Sequence, residues 1–234
     1  VVLADKMPEP ECKAQAPGIA DDDFVRGKVP MTKQDVRSAA MGRLGIRPGE
    51  VCWDVGAGTG CSVGKLQGPA HAMKSGLGEA VGTAGELVCG AVVALNACGD
   101  VVDPHTGEPI AGLLDEGGSR VVSSEEALLA LAASMPLDSA ARTNTTISCV
   151  VTNARLSKAQ ATKVAQMAAD AYAHAIRPVH TTNDGDTVFV MATGHMQAPV
   201  DVVGTLATRV LGDAIADAAR SACSAYGLKA ACDL

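Results

Sequence analysis

Residues 144–176 read NTTISCVVTNARLSKAQATKVAQMAADAYAHAI. Thr145 to Asn153 has β-branched residues at alternating positions and reads as a strand. Ser157 then suits the cap of a helix running through Ile176, with Ala161, Val164, Ala165, Ala168, Ala171 and Tyr172 on one face. Arg177-Pro178 ends it. A tight turn follows, Asn183-Asp184-Gly185-Asp186, and then a strand from Thr187 to Ala192. Strand, helix and strand in succession mark an α/β or α+β fold.

The same stretch carries candidate chemistry. Asn144 stands directly before Thr145, a hydroxyl residue at the mouth of a strand. A threonine hydroxyl is a poor nucleophile without a nearby base. Breaking the 144–145 bond gives Thr145 its own α-amino group, whose pKa near ~8 suits that work. The alternative is a plain polar strand entry followed by an ordinary turn. Spacing alone leaves both open.

Outward from this core, Val200 to about Tyr226 reads as a long Ala-rich helix, with Gly204 and Gly212 allowing close packing. Glu86 to Ala97 is an apolar strand. Ser124 opens a helix to Ser134, and 136–144 is a linker. Residues 61–85 hold many glycines and no clear period. Thr32 to Leu44 reads as a helix and Glu50 to Val55 as a short strand, ahead of the glycine-rich loop Gly56-Ala57-Gly58-Thr59-Gly60. Residues 1–23 look irregular.

Composition narrows the function. The chain has 234 residues, of which 47% are apolar and 2% aromatic, so its core rests on small aliphatic side chains. The net charge of −7 and the lack of a basic run disfavour nucleic acid. No stretch is long and apolar enough to span a membrane, and no signal peptide is visible at the start. The chain opens Val1-Val2-Leu3 without an initiator Met, as a fragment or processed product would. Cysteines stand at 12, 52, 61, 89, 98, 149, 223 and 232. None forms a C-x-x-C pair, which disfavours zinc, and a reducing, cytoplasmic setting is expected. His180, just before the acidic turn, is the one histidine of interest; a hydrogen-bonded loop histidine would look the same.

From Val55 to about Leu228 the chain resembles the DmpA-type L-aminopeptidases/D-esterases. The resemblance runs in order through VGAGTGCSVGKLQGPAHAMKSGLG, GAVVALNACGDVVDPHTGE, the 144–194 stretch and the closing helix. It implies a four-layer α/β/β/α sandwich, here partial, and self-cleavage between Asn144 and Thr145. It also implies Thr145 as nucleophile with its freed amine as base, Asn96 as the oxyanion donor, Asp184 and Asp186 as the pair orienting the nucleophile, and Lys65 near the site. Short peptides, amides or esters with a free amino terminus are the implied substrates. Assemblies of cleaved heterodimers are the implied state, with no cofactor. Each residue has a plainer reading: Asn96 closing a strand turn, Lys65 a surface charge, Gly185 present for its backbone.

From about Pro17 to Gly60 the chain resembles the opening of the precorrin-6 decarboxylating methyltransferase of cobalamin synthesis. Asp54, Gly56, Gly58 and Gly60 match its S-adenosylmethionine-binding positions, where glycines let the backbone approach a ligand. The two resemblances meet at residues 55–60. The expectation is a junction product: a methyltransferase-like segment over 1–54, and a hydrolase region over 55–234 lacking its family's first ~130 residues at ordinary domain sizes. Reduced stability and activity lost through truncation are expected with it, and a gene product without an evolved role is a third reading.

Overall fold

The computed structural model describes residues 58, 60–131 and 144–234. The chain divides into two units, 1–56 and 57–234, and every described residue lies in the second. The helix expected at 32–44, the strand at 50–55, Asp54 and Gly56 lie outside the described residues.

Among the described residues, eleven strands and three helices follow in order. They are β1 (Ser62–Val63), β2 (Met73–Lys74), β3 (Leu77–Ala84), β4 (Leu87–Ala94), β5 (Asp100–Val102), β6 (Pro109–Ala111), β7 (Leu113–Leu114), β8 (Val121–Val122), α1 (Ser124–Leu131), β9 (Ile147–Ala154), α2 (Lys158–Ala175), β10 (Ile176–Arg177), β11 (Thr187–Met196) and α3 (Val200–Arg220). The fold is mixed α/β. Its main sheet has the order β11-β9-β4-β3. β9 and β11 run parallel, as the helical crossover of α2 requires. The β3/β4 and β4/β9 pairs are antiparallel.

Alternation decides which face of this sheet is covered. Leu87, Cys89, Ala91 and Val93 of β4, with Ser148, Val150, Thr152 and Ala154 of β9, are buried. Over them lie α2 and α3. The buried face of α2 is Val164, Ala168, Ala171, Tyr172 and Ala175; that of α3 includes Val203, Ala207, Leu211, Ala214, Ile215 and Ala218. Small residues bring these layers close. A side chain at Gly78 would overlap the α3 backbone at Ala214 and Ala218, and one at Gly204 would overlap Met167 of α2. The expected cap at Ser157 is present and forms a capping box: its side chain accepts from the Gln160 N–H while the Gln160 side chain accepts from the Ser157 N–H.

The opposite face is apolar and open. Val81, Val88, Ile147, Phe189 and Met191 are exposed on it. The main sheet with α2 and α3 thus forms one sheet and one helical layer of the expected four; the described residues also hold three smaller sheets, β1-β2, β10-β5-β6 and β7-β8.

Several boundaries differ from the sequence reading. Residues 61–85 hold three strands where no period was visible. β11 runs four residues past Ala192, and α3 stops at Arg220, six short of Tyr226. α2 yields at Ala175 because Ile176–Arg177 pairs with β5.

Candidate active site

The expected site residues come from four separate segments, and the sheet gathers three of them at one end. β4 leaves where β9 and β11 enter, so Asn96, Asn144–Thr146 and Asp184–Asp186 are neighbours. The parallel pairing of β9 and β11 extends upstream through a bridge between Asn144 and Asp184. Gly185 N–H donates to the Asn144 carbonyl at 2.9 Å, and Thr187 N–H to the Thr146 carbonyl at 3.0 Å. On the other side, Thr145 N–H donates to the Asn96 carbonyl at 3.0 Å. The 144–145 peptide bond is held from both flanks, and Thr145 Oγ1 donates to the Asn144 carbonyl at 2.7 Å.

Lys65 reaches this place from beyond β1. Its Nζ donates to Asn96 Oδ1 at 2.6 Å, and Ser62 N–H reaches the same oxygen at 3.3 Å. With Oδ1 used twice, both Nδ2 hydrogens of Asn96 are left for another acceptor. Burial pushes the Lys65 ammonium down to about 8, against the opposing pull of Cys98, Cys61 and Asp184. Lys65 is therefore no surface charge.

The two carboxylates have different partners. Asp184 Oδ2 accepts from Thr181 N–H at 2.9 Å and Thr181 Oγ1 at 2.7 Å, and its Oδ1 accepts from Cys98 N–H at 3.4 Å. It ties the turn before β11 to the loop after β4. Asp186 Oδ1 accepts from Thr146 N–H at 3.0 Å, and its Oδ2 lies 3.1 Å from His180 Nδ1. Burial raises the Asp186 pKa, opposed chiefly by that Thr146 N–H. His180 adopts φ 54°, the left-handed region that non-glycine residues rarely occupy, and its ring meets Tyr172 edge-on at 5.7 Å. Tyr172 Oη lies 2.7 Å from Ser148 Oγ and 3.1 Å from the Thr187 carbonyl, joining the entries of β9 and β11. The sequence singled out His180 without its partner; Thr181, Tyr172 and Ser148 gave no sign of belonging here.

Among the described residues, two buried polar atoms at this spot have no hydrogen-bond partner: Asn144 Oδ1 and Thr146 Oγ1. Buried orphans are exceptions that need a reason, and a catalytic role is one such reason. The sequence profile of peptidase family S58 matches residues 30–231. The chain belongs to peptidase family S58.

That match takes in residues 30–54, so most of the methyltransferase-like stretch falls inside the hydrolase family's span, and the methyltransferase reading gains no support from it. Of the four glycine-loop positions, Gly58 and Gly60 are described. A side chain on buried Gly58 would come within 2.8 Å of the Leu77 backbone nitrogen, so packing explains that glycine; Gly60 faces open space. Among the described residues no group of three or more His, Cys, Asp or Glu could hold a metal ion.

S58 relatives differ in how much they share. An uncharacterized aminopeptidase from Mycobacterium leprae is 44% identical over 147 residues, covering 62% of this chain and 38% of the relative. A 6-aminohexanoate-oligomer endohydrolase from Paenarthrobacter ureafaciens is 30% identical over 199 residues, covering 77% of this chain and 55% of the relative. Among solved structures, a β-aminopeptidase from Burkholderia sp. superposes with TM-score 0.50 at 19% identity, covering 80% of this chain and 52% of that one. That likeness speaks to the fold. The chain spans well under two thirds of the length of each of these relatives.

Proposed function

We propose that this S58 chain is an N-terminal-nucleophile amidohydrolase that cleaves itself between Asn144 and Thr145 and then acts as an aminopeptidase. The observation that carries the proposal is the position of Thr145. Its hydroxyl rests on the carbonyl of the bond to be cut, at 2.7 Å. Lys65, Asn96, Asp184 and Asp186 converge on the same spot from three loops. Once the bond is cut, the α-amino group of Thr145 accepts the hydroxyl proton as Oγ1 attacks the substrate carbonyl. The Asn96 Nδ2 hydrogens donate to the resulting oxyanion. Lys65 fixes the orientation of that amide through Oδ1. Asp186 holds the Thr146 N–H, and Asp184 holds the turn that frames both.

The substrates in this reading are short peptides, amides or esters with a free amino terminus. The aminopeptidase name of the Mycobacterium leprae relative and the oligoamide in the name of the Paenarthrobacter relative support that class. Nucleophile and base both come from Thr145, so the reaction needs no cofactor. The net charge of −7 argues against a nucleic-acid partner, and among the described residues no helix is long and apolar enough to cross a membrane. A reducing, cytoplasmic setting is part of this reading. The open apolar sheet face supports assembly of cleaved heterodimers.

The test is the mass of the purified protein under denaturing conditions, followed by assays on aminoacyl amides. Two fragments meeting at Asn144/Thr145, together with amide hydrolysis, are expected. A Thr145→Ala chain should stay intact and inactive. An uncut wild-type chain without hydrolysis marks an inactive remnant and overturns the proposal.

A further inference from the structure

The self-cleavage proposed above requires an oxyanion donor of its own. The carbonyl to be attacked is that of Asn144. In the intact chain Asn96 makes no bond to it: its own carbonyl accepts from Thr145 N–H, its Oδ1 accepts from Lys65 and Ser62, and its Nδ2 hydrogens remain for the substrate oxyanion. Among the described residues the Asn144 carbonyl is met by the Thr145 hydroxyl at 2.7 Å and by one backbone donor, Gly185 N–H, at 2.9 Å.

We infer that the Gly185 backbone N–H is the catalytic oxyanion donor for cleavage of the 144–145 bond, a role that rests on the self-cleaving reading. Sheet register puts it there. The upstream extension of the β9/β11 pairing uses alternate donors, Gly185 onto Asn144 and Thr187 onto Thr146. The first of these ladder bonds falls on the reacting carbonyl; the second falls two residues beyond. A donor fixed in a sheet has no reorganisation to undergo when charge builds on the oxygen, and Asn144 is buried, where such a bond is strongest.

The residue type agrees. A Cβ at position 185 would stand 2.8 Å from Thr145 Oγ1, closer than a carbon and an uninvolved oxygen tolerate. Glycine here keeps the path of the hydroxyl clear. The orphaned Asn144 Oδ1 adds to this: the intact junction holds an unsatisfied buried oxygen that cutting can release to water.

The step balances as follows. Thr145 Oγ1 bonds to the Asn144 carbonyl carbon, and negative charge gathers on the oxygen facing Gly185 N–H. The carbon–nitrogen bond then breaks, and the hydroxyl proton ends on the Thr145 nitrogen, leaving an ester. Water splits that ester: its OH joins the Asn144 acyl group and its other hydrogen returns to Oγ1.

Replacing the residue at 185 by its α-hydroxy acid, glycolic acid, exchanges the N–H for an oxygen; the 184/185 amide becomes an ester, whose Asp184 carbonyl is a weaker acceptor. The same exchange at 187 removes the neighbouring ladder bond as a control. Conversion of the full-length chain is followed by denaturing mass spectrometry, which separates a cut at 144/145 from adventitious ester hydrolysis at 184/185. The expected result is a roughly 100-fold slower cut in the 185 ester, with the 187 ester close to wild type. Gly185→Ala should also slow, through crowding of Oγ1. A 185 ester within a few-fold of wild type, or equal slowing in both esters, overturns the inference while the self-cleaving reading stands. A wild-type chain that never cuts removes both.

Discussion

At the residue scale, the site depends on buried polar groups whose costs can be measured one by one. Lys65 is the clearest. Its folded pKa, about 8, lies below the ordinary lysine value of 10.5 because burial disfavours the ammonium. Between those values the unfolded chain binds more protons than the folded one, so the contribution of Lys65 to stability improves as pH rises through the window. Below about pH 8 the burial cost is felt in full. Lys65→Met removes the titrating group. The stability of that variant relative to wild type should therefore be higher at pH 7 than at pH 10, read from urea melts at both pH values; a pH-independent difference would contradict the burial account. Thr146 offers the opposite test. Its Oγ1 is buried without a partner, so Thr146→Val exchanges an unsatisfied hydroxyl for a methyl of similar shape. The variant should be as stable as wild type or more stable by about 1 kcal/mol, and it should still cut itself, since the bond to the Asp186 carboxylate comes from the Thr146 backbone N–H, which valine keeps. A loss of more than about 1 kcal/mol would mean that the hydroxyl has a partner in solution.

At the element scale, two glycines should respond differently to the same added methyl. A Cβ at Gly78 overlaps the backbone of α3, which cannot yield without lifting the helix off β3. A Cβ at Gly204 overlaps the side chain of Met167, which is flexible, and alanine in a helix regains about 1 kcal/mol over glycine. Gly204→Ala should therefore cost little, up to ~2 kcal/mol, whereas Gly78→Ala should exceed the ~1–3 kcal/mol usual for overpacking. Equilibrium denaturation of both variants decides it; equal costs would place the strain elsewhere. The same contrast explains what the sequence could reveal. β9, α2 with its Ser157 cap, β4 and most of α3 were legible because each carries a period or a capping signal along its own length. Residues 61–85 were not, because β1 and β2 are two residues each and the glycines of this stretch answer to distant contacts: Gly64 N–H donates to the Gly99 carbonyl and Gly78 lies under α3. The site itself was named through resemblance, and its supporting contacts were illegible for the same reason. His180 to Asp186 forms inside the loop before β11, where no period marks it, and Tyr172 to Ser148 exists only once α2 packs on β9.

At the scale of the whole molecule, the main sheet poses the remaining question. One face is closed by α2 and α3, and the other presents Val81 at 75% and Phe189 at 57% exposure, with Ile147, Val88 and Met191 beside them. Isolated exposed apolar residues are ordinary, but a contiguous set across four strands marks an interaction surface. The four-layer sandwich expected of this family places a second sheet over such a face. Phe189→Ser distinguishes a wet face from a covered one by magnitude. A side chain that stays in water costs within about 0.5 kcal/mol when replaced; one buried against another layer costs ~3 kcal/mol or more. We expect the larger figure, because the proposed assembly of cleaved heterodimers would cover this face. The melting temperature of the wild-type chain should accordingly rise with protein concentration, as it does whenever the folded state is stabilised by a partner copy. In Phe189→Ser that concentration dependence should weaken, and sedimentation should shift toward smaller species. A near-neutral substitution with a concentration-independent melt would show the face standing open to water, and the exposed row would then be a liability for aggregation instead of a contact for assembly.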